Sequence, residues 1–287
     1  MKFGTELLII LIIVAVIVFI RIIYELNHLT LKRYQVSSQK IKSDENLRLA
    51  YVVDLHNKNY GDRNKKLARM VSSQHPDAII IGGDMITART KGSDENAINA
   101  LERLSEIAPV YYAPGNHELF LKIDKKLSER CRHYRMELDS MDVCYLENRK
   151  IPLTENIELY GLDIDQKYYN KFGHREKLTS RDVRELLGNV DKDKFNILLA
   201  HTPEFFKAYS GNGYDLVLSG HYHGGVVRLP NGKGLITPKF EFFPKHCGGA
   251  YRSRYTNMIV SRGAGSHGLG IRLNNEPEIL IIDIKKA

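Results

Sequence analysis

A chain of 287 residues with 43% hydrophobic and 26% charged residues carries enough apolar sequence for a large core, which excludes a disordered or fibrous protein. Its formal net charge of +8 suits a partner bearing phosphates or an anionic membrane surface, yet Lys and Arg are scattered among acids with no long basic block, which argues against nucleic acid as the partner. Three cysteines, Cys131, Cys144 and Cys247, odd in number and without CxxC spacing, exclude a disulfide framework and a zinc knuckle and read as reduced thiols.

The first element is apolar throughout: "LLIILIIVAVIVFI" covers residues 7–20, and "RIIYEL" continues it past one arginine. As a helix, Leu7 to Tyr24 spans roughly 27 Å at about 1.5 Å per residue, enough for a bilayer core. No small-x-small cleavage site follows, so residues 1–25 are expected to stay as a single-pass anchor in the cell membrane, with Arg21 reaching the headgroups. Lys2 precedes the span, whereas Arg21, Lys32, Arg33, Lys40 and Lys42 follow it. The positive-inside rule then puts the large domain on the cytoplasmic side. Residues 26–46 are polar and carry no strong period, and so are expected to form a linker.

From Leu47 a βα alternation sets in. "LRLAYVVDLH", "DAIIIGGD" and "APVYYAPGNHE" read as buried strands, separated by the helical patterns "DRNKKLARMVSSQ" and "SDENAINALERLSEI" and followed by a helical segment to about Ser140. "VCYLEN" and "IELYGLD" look shorter and antiparallel in character. "TSRDVRELL" opens on a helix cap, and "FNILLAHTP", "YDLVLSGHYH", "NMIVSRGAG" and "EILIIDI" are strands. The expected fold over residues 47–287 is one α/β domain with two stacked mixed β-sheets flanked by helices.

The chemistry lies where the strands end. One finishes on Asp54 and His56, the next on Asp84, the third on Asn116 and His117, a fourth on His201 and a fifth on His221 and His223. Ligands of open α/β sheets bind at the carboxyl ends of strands. A strand must stop on something polar, but five that stop only on metal-ligating residue types form a pattern. Gly82, Gly83, Gly115, Gly220, Gly224 and Gly225 accompany them, where a backbone has to turn sharply or approach an ion closely. Carboxylates, imidazoles and an amide oxygen without sulfur suit Mn, Fe or Zn. The seven groups exceed one tetrahedral site and fill two if a carboxylate bridges. Two ions about 3.5–4 Å apart clamp a phosphate and hold a hydroxide for in-line attack. His117, beside a ligand on the same loop, is placed to protonate the leaving oxygen. On an extended backbone it would point away from Asn116.

"DLH", "GGD", "GNHE", the His of "AHTP" and "GHYHGG", in this order, resemble the calcineurin-like metallophosphoesterase superfamily from Leu47 to the C-terminus. The tail "SRGAGSHGLGIRLNNEPEILII" is similar to a bacterial membrane-associated branch that includes phosphodiesterases of the UDP-2,3-diacylglucosamine diphosphatase type. The resemblance implies a four-layer sandwich of two sheets between helices and two divalent ions, Mn, Fe or Zn. Asp54, His56, Asp84 and His223 would hold one ion; Asp84, Asn116, His201 and His221 would hold the other. It implies hydrolysis of a phosphodiester, pyrophosphate or phosphomonoester, with a lipid-linked or nucleotide-sugar ester among the candidate substrates. The chain departs from that branch at Val226 and Val227, where a Gln commonly follows the Gly pair, and in "DIDQKYYNKFGHREK"; both bear on the substrate and not on the metal set. His267 is a candidate for the phosphate pocket. Tyr168, Tyr169 and Phe172 form either a lid or a packed insertion, and "PKFEFFPKH" either touches membrane or tucks its rings inward. A nucleic-acid phosphodiesterase and a non-catalytic metal-containing scaffold remain as alternatives, the latter disfavoured because every ligand position and His117 are present.

Overall fold

The computed structural model describes residues 2–88, 90, 92–169, 176–229, 232–237, 242–266 and 270–287. Helix α1 (Lys2–Asn27) takes up the apolar amino terminus, and strand β1 (Thr30–Ser38) follows directly. Strands β2 (Leu47–Val52), β3 (Ala78–Ile81) and β4 (Val110–Tyr112) alternate with helices α2 (Lys65–Ser72) and α3 (Glu95–Ser105), and helices α4 (Asn116–Ile123) and α5 (Ser128–Ser140) lead to β5 (Cys144–Tyr145). After β6 (Arg149–Pro152) and β7 (Ile157–Leu162) come α6 (Ser180–Leu187), β8 (Phe195–Ala200), α7 (Phe206–Ser210) and β9 (Leu216–Ser219). The chain closes with β10 (Val227–Arg228), β11 (Gly234–Ile236), β12 (Gly249–Ser253), β13 (Thr256–Val260) and β14 (Glu278–Lys286).

Two six-stranded sheets result, in the orders β1-β14-β2-β3-β4-β5 and β12-β13-β9-β8-β7-β6, with β10 and β11 forming a separate ribbon. Successive side chains of a strand point to opposite faces, and here both faces are covered. Leu49, Tyr51, Val53 and Ile80 of the first sheet meet Leu159, Ile197, Leu199 and Leu218 of the second in the central layer. Ala50, Val52, Ile79 and Ile81 face outward onto Leu67, Val71, Leu101, Leu104 and Leu138 of α2, α3 and α5. On the far side Leu198, Val217, Met258 and Val260 pack against Val183, Leu187, Phe206 and Tyr209 of α6 and α7. Burial on both faces is why these strands read as unbroken apolar runs. The four layers are helix, sheet, sheet, helix, as expected.

Several expectations need correction. Residues 26–46 are not a linker: α1 runs to Asn27, and β1 pairs in parallel with β14 over nine residues, from Thr30↔Glu278 to Ser38↔Lys286. As an edge strand, β1 exposes much of its length and buries Val36 alone, so it shows no apolar period. The helical segment before Ser140 is broken between α4 and α5, where Asp124 caps a single 3₁₀ turn through the Lys126 N–H. β5 pairs in parallel with β4, and β7 in parallel with β8, against the antiparallel expectation; β6 pairs antiparallel with β7. The cap of α6 is as expected, with Thr179 and Asp182 bonding each other's backbone N–H. The exposed rings of Phe242 and Phe243 are not tucked inward. Tyr168 and Tyr169 are buried, against Phe205 and His221 respectively. Phe172 and His267 lie outside the described residues.

Candidate metal centre

The carboxyl ends of β2, β3, β4, β8 and β9 come from both sheets and meet at one edge. Asp54 and His56 leave β2, Asp84 leaves β3, Asn116 and His117 open α4 behind β4, His201 leaves β8, and His221 and His223 leave β9. All are buried. Five of these eight residues, Asp54, His56, Asp84, His221 and His223, have φ between 48° and 69°, a region that non-glycine residues rarely occupy and that costs free energy. The chain turns sharply at each of these five. Two glycines show how closely the backbone comes: a Cβ on Gly115 would lie 2.3 Å from Asp84 Oδ1, and one on Gly220 would lie 2.5 Å from Asp54 Oδ2.

The ligand atoms fall into overlapping sets. Asp54, His56 and His223 each offer an atom within 4.8 Å of the others, as do Asp84, His201 and His221, and as do His56, Asp84 and His117. His201 Nε2 is 3.1 Å from Asp84 Oδ2 and 3.7 Å from Asp54 Oδ1. His56 Nε2 is 3.9 Å from Asp84 Oδ2 and 3.1 Å from His223 Nε2. Asp84 therefore faces both groups of imidazoles. Burial, reinforced by Asp84, pushes the Asp54 carboxyl up to about 7. Burial opposes the charge of Asp84 as well, but His201, His117 and His56 hold it well below the usual carboxylate range. Burial also disfavours a charged His201, yet Asp84 and Asp54 outweigh it and raise the imidazole to about 9.

Divalent cations fit this set on three counts. Asp54 Oδ1, Asn116 Oδ1 and His201 Nε2 are buried without a hydrogen-bond partner, a costly state that coordination relieves. His201 Nδ1 lies 2.8 Å from the Gly82 carbonyl oxygen, to which it donates; a cation taking the place of the second ring proton would meet the lone pair of Nε2, beside Asp84. Two buried carboxylates at one edge also call for positive charge between them.

His117 differs from its expected presentation. It and Asn116 form the first turn of α4 rather than an extended strand, so their side chains diverge by about 100° and not by a half-turn. The His117 N–H donates to Asp84 Oδ1 at 2.8 Å, its ring Nδ1 accepts the Ala88 N–H at 3.0 Å, and its ring sits edge-on to His56.

Sequence reasoning missed the residues that hold these loops. Glu118 accepts from the N–H groups of Asp84 at 2.8 Å, Met85 at 3.0 Å and Gly115 at 2.9 Å, and from the Tyr112 hydroxyl at 2.6 Å. One carboxylate thus binds the loops bearing Asp84 and Asn116 to each other. Arg272, fully buried, donates to the carbonyls of Arg262, Gly263, Gly265 and Asn275, and burial lowers its guanidinium to about 10. A charged residue inside "GNHE" and an arginine in an apolar tail were the available signals.

With this geometry belongs a sequence match: the profile of the calcineurin-like phosphoesterase family covers residues 47–225, and the chain belongs to that family. An uncharacterised metallophosphoesterase of Campylobacter jejuni is 29% identical over 88% of this chain and 63% of its own length. Another from Aquifex aeolicus is 27% identical over 91% of this chain and 94% of its own. A Danio rerio protein named as a transmembrane protein with a metallophosphoesterase domain is 28% identical over 84% of this chain and 54% of its own. The chain is a metal-dependent phosphoester hydrolase.

Proposed function

We propose that the protein is a membrane-anchored phosphoesterase working with two divalent ions, Mn, Fe or Zn. Asp54, His56, Asp84 and His223 hold one ion and Asp84, Asn116, His201 and His221 the other, with Asp84 bridging. The observation that carries this reading is the pair of ligand sets, each within 4.8 Å, with Asp84 3.1 Å from His201 and 3.9 Å from His56. Such ions supply Lewis-acid stabilisation of phosphate charge and activate water. The chain's own part is to place the ligands, exclude bulk water and deliver a proton from His117 to the departing oxygen. The substrate is a phosphate ester, and a lipid-linked or nucleotide-sugar ester fits a site held at a bilayer.

Helix α1 supports the anchor, because residues 4–27 have a mean hydropathy of 3.3 over their most apolar window and none of that window is buried. The excess of Arg and Lys after the span over that before it favours a cytoplasmic domain.

The test is metal analysis paired with turnover of a chromogenic phosphodiester as metals are added back singly. Two ions per chain and Mn-dependent turnover are expected. Asp84→Asn should weaken both ions and abolish turnover. Ordinary activity in that variant, or a single ion at saturation, refutes the bridged pair.

A further inference from the structure

The apolar helix ends in a carboxylate that is not at the surface. Glu25 is fully buried and is the one buried residue among the described residues of α1. Its oxygens accept from the backbone N–H of Asn274 at 3.0 Å and of Asn275 at 2.7 Å, and Arg21 Nε donates to it at 2.6 Å. A helix seated by packing alone would bury an apolar side chain here; this one buries a hydrogen-bonding group aimed at two amides about 250 positions later in the chain.

Those amides belong to the residue that clamps a candidate metal loop. Asn275, also fully buried, donates its side-chain Nδ2 to the His223 carbonyl at 2.7 Å and to the Gly225 carbonyl. Arg228 Nη1 takes the carbonyl between them, that of Gly224, at 3.0 Å. Three successive carbonyls are thus held by side chains. The turn needs holding, because His223 has a φ of 52°, costly for a non-glycine residue, and Gly224 and Gly225, at 71° and 88°, add no preference of their own for it. A Cβ on Gly224 would meet Asn275 Oδ1 at 2.3 Å, so the clamp and the turn fit closely.

We propose that Glu25 and Asn275 form a positioning relay through which the seating of α1 sets the geometry of His223. Glu25 orders the backbone at 274–275, Asn275 holds the turn, and the turn aims the imidazole. The link to metal rests on His223 being a ligand as proposed above; the link to loop order does not. Coupling runs both ways, so occupancy of the site also stabilises the seated helix.

The experiment uses the full chain in nanodiscs, comparing wild type with Glu25→Ala, Glu25→Gln, Asn275→Ala and, as a control on an exposed position of the same helix, Ile17→Ala. Amide hydrogen exchange is followed at 221–228 and 274–275, and Mn binding is measured by calorimetry. In Glu25→Ala, exchange at both segments should rise about tenfold and one Mn site should weaken about tenfold while the other holds, within the range of ordinary couplings. Glu25→Gln, which keeps an acceptor oxygen and serves as the readout if the alanine variant does not fold, should fall between. Asn275→Ala should loosen 221–228 most, and Ile17→Ala should match wild type. Loosening at 274–275 with 221–228 and Mn affinity unchanged overturns the relay. If wild type binds no Mn, the proposed metal function fails, and exchange at 221–228 alone decides the relay.

Discussion

The Ala88 N–H donates to the ring Nδ1 of His117, so the neutral ring carries its proton on Nε2. That Nε2–H can donate a hydrogen bond to the departing oxygen; full proton transfer requires the imidazolium, in which Nδ1 no longer accepts the Ala88 N–H. His117→Asn should keep both metals and lose kcat by about 10²–10⁴-fold on alkyl phosphoesters, where the leaving oxygen needs a proton. The loss should be far smaller on p-nitrophenyl esters. Equal losses on both, with a lowered melting temperature, would mark His117 as structural. Glu118 is the complementary case, since it bonds the backbone of the ligand loops and no ligand side chain. Glu118→Gln sets an amide donor against one of four donors; leaving one buried N–H unpaired costs about 2 kcal/mol. The melting temperature of the metal-free chain should fall by roughly 4–8 °C. An unchanged melting temperature would show that the loops are held otherwise. Residue type and position at the strand ends made the candidate ligands legible. Glu118 was not, because nothing in the local pattern tells a buried acid bonded to four donors from a solvated one.

Among elements, β1 departs furthest from the sequence expectation. Its nine-residue pairing with β14 joins the amino-terminal segment to the sheet, and Leu29, Val36 and Ile41 around it are buried. Burying three such side chains contributes on the order of 5 kcal/mol. A fragment beginning at Leu47 should therefore melt at least about 10 °C below one beginning at Leu29 and expose the edge of β14 to aggregation. Circular dichroism melts and light scattering on the two fragments check this. Equal stability would return residues 26–46 to the role of a tether. The buried parallel strands were legible as apolar runs. An edge strand fixed mainly by backbone bonds is not, since its side chains are free to be polar.

Over the whole molecule, only His28 and Leu29 separate α1 from β1. A domain joined so closely to its proposed membrane span keeps one attitude to the bilayer. Inserting about ten Gly and Ser residues after Asn27 gives a flexible tether of roughly 17 Å root-mean-square length, enough to let the domain leave its seat on α1. Turnover of an ester embedded in vesicles should drop further than turnover of a soluble chromogenic ester. Equal turnover of both would argue against a lipid-linked substrate. For sidedness, Tyr255 is 89% exposed, so Tyr255→Cys should resist an impermeant maleimide in intact cells and react after lysis. Labelling in intact cells would put the domain on the outer side.

The sequence by itself determined the apolar helix, the run of buried strands and the residue types offered at their ends. Burial on both faces of a sheet, and metal chemistry at the carboxyl ends of strands, both leave their mark within ten residues. Only the tertiary structure decided which strand ends converge, that Asp84 stands between two groups of imidazoles, and that Glu25 reaches Asn275. Those contacts join residues 28 to 250 positions apart. Nothing in the local physics of either partner encodes the other, so the packing of two sheets and one helix has to bring them together.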